Sequence, residues 1–421
     1  MYPWGQAPDG FATGQAPYNS EIVTRTADVG IVGAGLVGLA TAHALAAAHR
    51  CRVVVFEKEP HVAAHQSSHN SGVIHSGLYY TPGSARARLC IEGRERMVEF
   101  CRTHGLAHDV CGKLVVATRE DELPRLEALC LRGRRNGLAV TAMTPAEFAT
   151  IEPCAVGLRA LHVPEAGIAD YPAVARTLAR EVAAHGGAIE CRAAFVDAHE
   201  HGGGVRVRVS DGTWQVGALV ACAGLQADRV AKASGVATDI VIVPFRGEYY
   251  TLAPERQSLV RHLIYPVPDP RFPFLGVHFT RMATGGIEAG PNAVMALARE
   301  GYSWRDVSVR DLAEAARSTG VRRFVRAHVG TGLAEMRRSF SKARFTATLA
   351  RLVPAISVDD LRPGGSGVRA MALTPQGAMV DDFAFVESGR MVHVLNAPSP
   401  AATASLAIGH HVATRVVARL G

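Results

Sequence analysis

Residues 27–59 read ADVGIVGAGLVGLATAHALAAAHRCRVVVFEKE, and the fold turns on how this stretch is read. An apolar strand runs into Gly33-Ala34-Gly35-Leu36-Val37-Gly38, the GxGxxG pattern, then an alanine-rich helix and a second apolar strand, Val53–Phe56. In such a turn the first glycine permits the tight bend and the second lets backbone approach a pyrophosphate. The third lets helix and strand pack closely. The helix start then offers free N–H groups to phosphate charge. Glu57, with Lys58 beside it, follows Gly38 by 19 residues at the end of the second strand, where an acceptor for ribose hydroxyls belongs. A glycine turn that binds nothing would not need this whole context, so the stretch predicts a dinucleotide site.

A simple nicotinamide enzyme would go on alternating strand and helix. This chain instead enters HVAAHQSSHNSGVIHSGLYYTPGS (61–84), which is neither a clean amphipathic helix nor an alternating strand. Nucleotide-site character returns late. Residues 186–228 predict a strand, a glycine-turned hairpin and an apolar strand ending at Ala223-Gly224. Residues 396–417 begin NAPSPAAT, a turn with two prolines opening into a helix whose start can point N–H donors at an electron-rich group. Three pieces so far apart in sequence suit a large, discontinuous site.

Bulk properties fit that reading. The 421 residues allow about two or three domain-sized units. The net charge of +7 is carried by 41 arginines against 4 lysines. These are scattered and not interleaved with aromatics, which argues against nucleic acid and leaves an anionic substrate or a membrane surface open. The eight cysteines lie within residues 51–222 without a CxxC pair or a His/Cys metal spacing. They predict reduced thiols in a cytoplasmic protein that holds no metal. Residues 29–48 have the length of a membrane span, but the glycine turn explains them, and the first 20 residues lack the pattern of a signal peptide. Residues 1–26 predict a flexible extension.

Against this background the chain resembles the FAD-dependent amino-acid and hydroxy-acid oxidoreductases of the D-amino-acid-oxidase superfamily, and within it the L-2-hydroxyglutarate oxidase/dehydrogenase family. The similar segments include HNSGVIHSGLYYTPGS (69–84), CGKLVVAT (111–118), PFRGEYY (244–250), LGVHFTR (275–281), GVRA (367–370) and NAPSPAAT (396–403). Together they run from about residue 27 to the C-terminus. The resemblance implies an α/β protein: a discontinuous Rossmann-like FAD-binding domain (27–110, 165–240 and 362–421) beside an α+β substrate domain (111–164 and 241–361) with a mostly antiparallel sheet. The FAD adenosine would lie at Gly33–Gly38 and Glu57, with Val196 against adenine. The rest of the cofactor would pass Ser67, Ser68, Asn70, Ser71, Gly72, Val73, Ala223, Gly224 and Gly367, and its ring edge would meet Pro398, Ser399, Pro400, Ala401, Ala402 and Thr403.

The implied reaction is oxidation of a 2-hydroxy acid, with a hydride leaving Cα for flavin N5 and the hydroxyl proton going to a base. L-2-hydroxyglutarate is the substrate the resemblance favours; a different hydroxy or amino acid is the alternative. Histidine suits the base because it is largely neutral at cellular pH. His278 is the candidate in the substrate domain. His75 either lines the flavin, takes a proton, or carries the cofactor covalently. Arginine forks match carboxylates, so Arg246, Arg281 and Arg369 are candidates for the substrate's charges, with Tyr250 and Tyr265 as hydrogen-bond donors. Tyr249 is a further such donor, and all three tyrosines are equally readable as strand aromatics packing a sheet face. The family usually follows GVRA with glutamine, where this chain has Met371. Oxygen, a quinone or a carrier protein remain open as electron acceptor, and the resemblance implies peripheral membrane contact.

Overall fold

The structure, a computed structural model, describes residues 25–269 and 276–420. The extension expected over residues 1–26 lies outside the described residues except for Arg25 and Thr26, which begin the first strand.

The strand Arg25–Val32 sits centrally in an eight-stranded sheet, parallel to Val53–Glu57 on one side and to Gly212–Ala221 on the other. Val53–Glu57 is buried at every position, the pattern of a strand covered on both faces. One face is covered by four helices, Leu36–His49, Ala85–Thr103, Tyr171–Ala184 and Ala401–Val417, whose apolar sides share one core. Two glycines let them approach: a Cβ on Gly409 would fall 2.5 Å from the Ala40 backbone, and one on Gly93 would fall 2.5 Å from that of Ala404. The other face packs against the predicted hairpin, where Phe56 meets Trp214 edge-on. The strand Met391–Asn396 then joins the far half of Gly212–Ala221 in parallel, returning the C-terminal chain to the nucleotide side.

The second layer is a nine-stranded sheet in which only Leu263–Pro266 and Lys113–Ala117 run parallel. The expected mostly antiparallel substrate sheet is therefore present. One boundary differs from expectation. The strand Leu361–Leu373 pairs along its length with Val241–Leu252, so residues 362–373 belong to the substrate sheet. Their run of alternating and glycine residues carries no mark of which sheet they join.

Candidate active site

The turn Gly33–Gly38 needs its glycines for reasons visible atom by atom. Gly33 has φ +98°, and a Cβ there would meet the Cys222 carbonyl at 2.5 Å. A Cβ on Gly38 would lie 1.9 Å from the Gly33 carbonyl oxygen. Glu57 is buried and accepts the Ala34 N–H at 2.8 Å and the Glu59 N–H at 3.0 Å, so it locks the turn as well as facing the site. Leu36 N–H donates to Ser67 Oγ at 2.9 Å, bringing the loop after the second strand onto the helix start.

A cavity of about 620 Å³ opens over this turn. Gly33, Gly35, Leu36, Val37, Glu57, Lys58 and Ser67 line it together with Val196, Ala223, Gly224, Ala401 and Ala402. The three sequence pieces thus converge on one space. Val196 is 42 % exposed, as a residue facing a ligand space would be, not a core strand valine. Asn70 shapes the loop: its Nδ2 donates to the Gln66 and Ser67 carbonyls while its Oδ1 accepts the Gly72 N–H at 2.9 Å. Ser68 N–H closes on the His65 carbonyl, and Ser71 is bridged by the Asn70 Oδ1–Gly72 N–H bond. Gly367 approaches this loop so closely that a Cβ would fall 2.2 Å from the His69 carbonyl oxygen.

The C-terminal helix enters through Pro398-Ser399-Pro400. Its N-cap, Pro400, supplies no side-chain hydrogen bond; Ala401 N–H turns back onto the Pro398 carbonyl at 3.0 Å, so Ala402 and Thr403 hold the first-turn N–H groups that a ligand can take. Thr403 is fully buried and ties the pieces together. Its Oγ1 accepts the His75 N–H at 3.0 Å, donates to the Val73 carbonyl at 3.2 Å and meets the Tyr171 hydroxyl at 3.1 Å. Open glycine turns, an acidic residue at the strand end and an uncapped helix start fit a flavin dinucleotide.

On the substrate side His278 is buried and stacks on Tyr265, ring centroids 3.8 Å apart. Its Nδ1 lies 2.8 Å from the Gly276 carbonyl, which can only accept, so Nδ1 carries the proton and Nε2 holds the lone pair. Burial, with the charges of Arg369 and Lys113, pushes its pKa down to about 3. Burial likewise holds His75 near about 3, reinforced by Lys113, His278, Arg86 and Arg369. His75 Nε2 is 3.3 Å from Ser399 Oγ, which places the ring at the mouth of the C-terminal helix. Arg369 acts on both histidines and on Tyr249 and Tyr265. His75, His278, Tyr265 and Arg369 therefore form one group.

Three sequence candidates fall elsewhere. Arg246 is fully buried, but it donates to Glu248 at 3.0 Å and lies over the Trp304 ring, outside the charges acting on either histidine. Tyr250 packs edge-on against Phe345 in the substrate-domain core, so its neighbour Tyr249 is the tyrosine that meets Arg369. Arg281 pairs with Asp109, its side chain 35 % exposed. Met371 joins an apolar cluster with Val243, Phe245 and Phe324, where an apolar side chain is accommodated. Lys113 was missed, although a lone lysine opening the apolar run KLVVA is a readable signal.

Among the described residues Glu59, His65 and Glu300 form a group with metal-ligand spacing, but the Lys58 ammonium bonds both carboxylates and is the cation there. All eight cysteines are free thiols.

A glycine-turn nucleotide site joined to a neutral, oriented histidine beside an arginine defines a flavin-dependent oxidoreductase. The profile of the DAO family, described as "FAD dependent oxidoreductase", matches residues 28–415, and the chain belongs to that family. Within it, the chain is 45% identical over 393 residues to an L-2-hydroxyglutarate dehydrogenase of Salmonella houtenae, covering 93% of each chain. It is 43% identical over 391 residues to the protein of that name from Escherichia coli K12, covering 92% of this chain and 93% of the relative. Among solved structures, the FAD-bound L-alpha-glycerophosphate oxidase of Mycoplasma pneumoniae superposes with a TM-score of 0.76 at 21% identity, over 94% of this chain and 95% of that one. That last likeness is one of fold.

Proposed function

We propose that the protein oxidises L-2-hydroxyglutarate to 2-oxoglutarate. The observation that carries this reading is the His278 ring, held neutral with its Nε2 lone pair free and Arg369 close enough to depress its basicity. The relatives' names supply the substrate. Bound FAD supplies the hydride acceptor. Arg369 pairs with a substrate carboxylate and fixes the hydroxyl near the imidazole. His278 Nε2 takes the hydroxyl proton. A dianionic substrate opposes the cationic field around the ring, raising its affinity for that proton when it is needed. The test is an anaerobic screen of flavin bleaching over hydroxy and amino acids of both hands. Bleaching by L-2-hydroxyglutarate well ahead of its D-form and of amino acids is expected. Equal or faster bleaching by another hydroxy or amino acid would replace this substrate.

A second reading concerns where the protein works. No helix among the described residues is long and apolar enough to cross a membrane. The helices Val309–Arg317, Thr319–Ala327 and Val329–Ser339 carry seven arginines against three acids, and Val309, Val329, Leu333 and Phe340 nearby are each at least half exposed. Basic amphipathic helices suit an anionic lipid surface. Flotation with vesicles containing phosphatidylglycerol, weakening as salt rises, is expected; failure to float at low salt would remove the reading.

A further inference from the structure

Lys113 is the cation the reading above leaves unused. It opens the strand Lys113–Ala117, is 1 % exposed, and lies between two aromatic faces, 4.4 Å from the Tyr79 ring and 4.8 Å from the Tyr265 ring. Tyr265 in turn stacks on His278, so one ring separates this amine from the base. Ring faces stabilise a cation only partly. Among the described residues no carboxylate forms an ion pair with it; a cation buried without an anion is costly unless a ligand brings one.

We propose that Lys113 recognises the second carboxylate of the substrate, opposite the one held by Arg369, and so selects dicarboxylate over monocarboxylate 2-hydroxy acids. This rests on the functional reading just given. The groups facing the amine are Tyr79 and His75 from the loop after Ile74, Cys90 from the helix Ala85–Thr103, Tyr265, and His278 from the neighbouring strands; Arg369 acts on the same two histidines. None of them carries a negative charge at neutral pH. Burial pushes the amine's pKa down to about 7, so loss of its proton competes with carboxylate binding as pH rises. A dicarboxylate binding above that pH must therefore bring a proton with it, and affinity for the dianion falls as pH rises through about 7.

The test uses the FAD-loaded protein. With wild type, calorimetry of glutarate binding at pH 8 in buffers of different ionisation enthalpy should register proton uptake, which disappears in Lys113→Met. The ratio of kcat/KM for L-2-hydroxyglutarate to that for L-2-hydroxyvalerate, the monocarboxylate of equal chain length, should fall about 10–100-fold in Lys113→Met. Lys113→Arg should restore part of that ratio without the pH-linked uptake. Wild type binding glutarate with no proton uptake would overturn the proposal whether or not the variants fold, and so would a ratio unchanged in Lys113→Met. The functional reading fails separately, if wild type does not oxidise L-2-hydroxyglutarate while the glutarate calorimetry still assigns the proton to Lys113.

Discussion

His278 can act as a base because two constraints meet on one ring. The Gly276 carbonyl fixes the tautomer, and burial beside Arg369 keeps the ring unprotonated before substrate arrives. His278→Gln keeps a polar side chain but cannot take a proton, so kcat should fall about 10²–10⁴-fold. Flavin absorbance and melting temperature should stay near wild type; loss of flavin along with the rate would make the residue structural. The same burial has a stability consequence. His75 and His278 sit near about 3 when folded and near 6.5 when unfolded, so below 6.5 the unfolded chain binds more protons. Their contribution to stability is complete above that value and is lost as pH falls toward 3. Urea midpoints measured from pH 7 to 4 should decline, and the decline should be shallower in His278→Gln. A decline as steep in that variant as in wild type would contradict the assignment. At this scale the sequence was only partly legible. His278 and Arg369 could be picked out because their segments match a known family. Arg246, Tyr250 and Arg281 matched equally well, and what set them apart was the partners the fold gives them. Tyr249 and Tyr250 lie at a register shift in the strand pairing, where Tyr250 packs on Phe345 and Tyr249 meets Arg369, and one sequence does not show such a shift.

The glycine turn was the most legible element, since GxGxxG followed by an acidic residue encodes both a backbone shape and a ligand. It makes a correspondingly sharp prediction. In Gly38→Ala the new Cβ would sit 1.9 Å from the Gly33 carbonyl oxygen, so the helix start has to move away from the turn. The variant should purify colourless, with added FAD neither restoring the absorbance nor raising the melting temperature. A yellow variant would mean the turn is not the binding element. The start of the C-terminal helix was legible from its two prolines, but the work of Thr403 was not. Nothing in NAPSPAAT says that this hydroxyl will meet a backbone N–H and a tyrosine more than two hundred residues upstream. Thr403→Val keeps the shape and removes the hydroxyl, leaving the His75 N–H without its acceptor while the Tyr171 hydroxyl keeps the Val73 carbonyl at 3.0 Å. The apoprotein should lose about 1–3 kcal/mol in urea unfolding. No loss would mean that another partner satisfies this N–H.

The whole molecule explains why the site is drawn from such distant segments. The parallel sheet brings the ends of Arg25–Val32 and Gly212–Ala221 side by side, and the return of Met391–Asn396 delivers the C-terminal helix to the same edge. Ligands in such sheets bind beyond the carboxyl ends of the strands, and the cavity lies there. The general two-layer plan could be anticipated from the sequence. The placement of Leu361–Leu373 in the substrate sheet could not, because its pairing with Val241–Leu252 joins segments more than a hundred residues apart. FAD lying across the cavity would span segments that otherwise meet through packing and a few hydrogen bonds, such as Leu36 N–H to Ser67 and Thr403 to the Val73 carbonyl, and so should act as a cross-brace. Binding to the native state alone stabilises by about 2.7 kcal/mol when free ligand is one hundred times its Kd. Removing FAD should therefore lower the melting temperature and speed amide exchange together in residues 33–38, 65–73 and 401–405. The core built on Leu114, Ile264 and Phe279 in the substrate sheet should keep its protection, because its burial does not involve those segments. Exchange that accelerates equally in both layers would show that the two unfold as one unit, and the cross-brace would then stabilise the molecule as a whole.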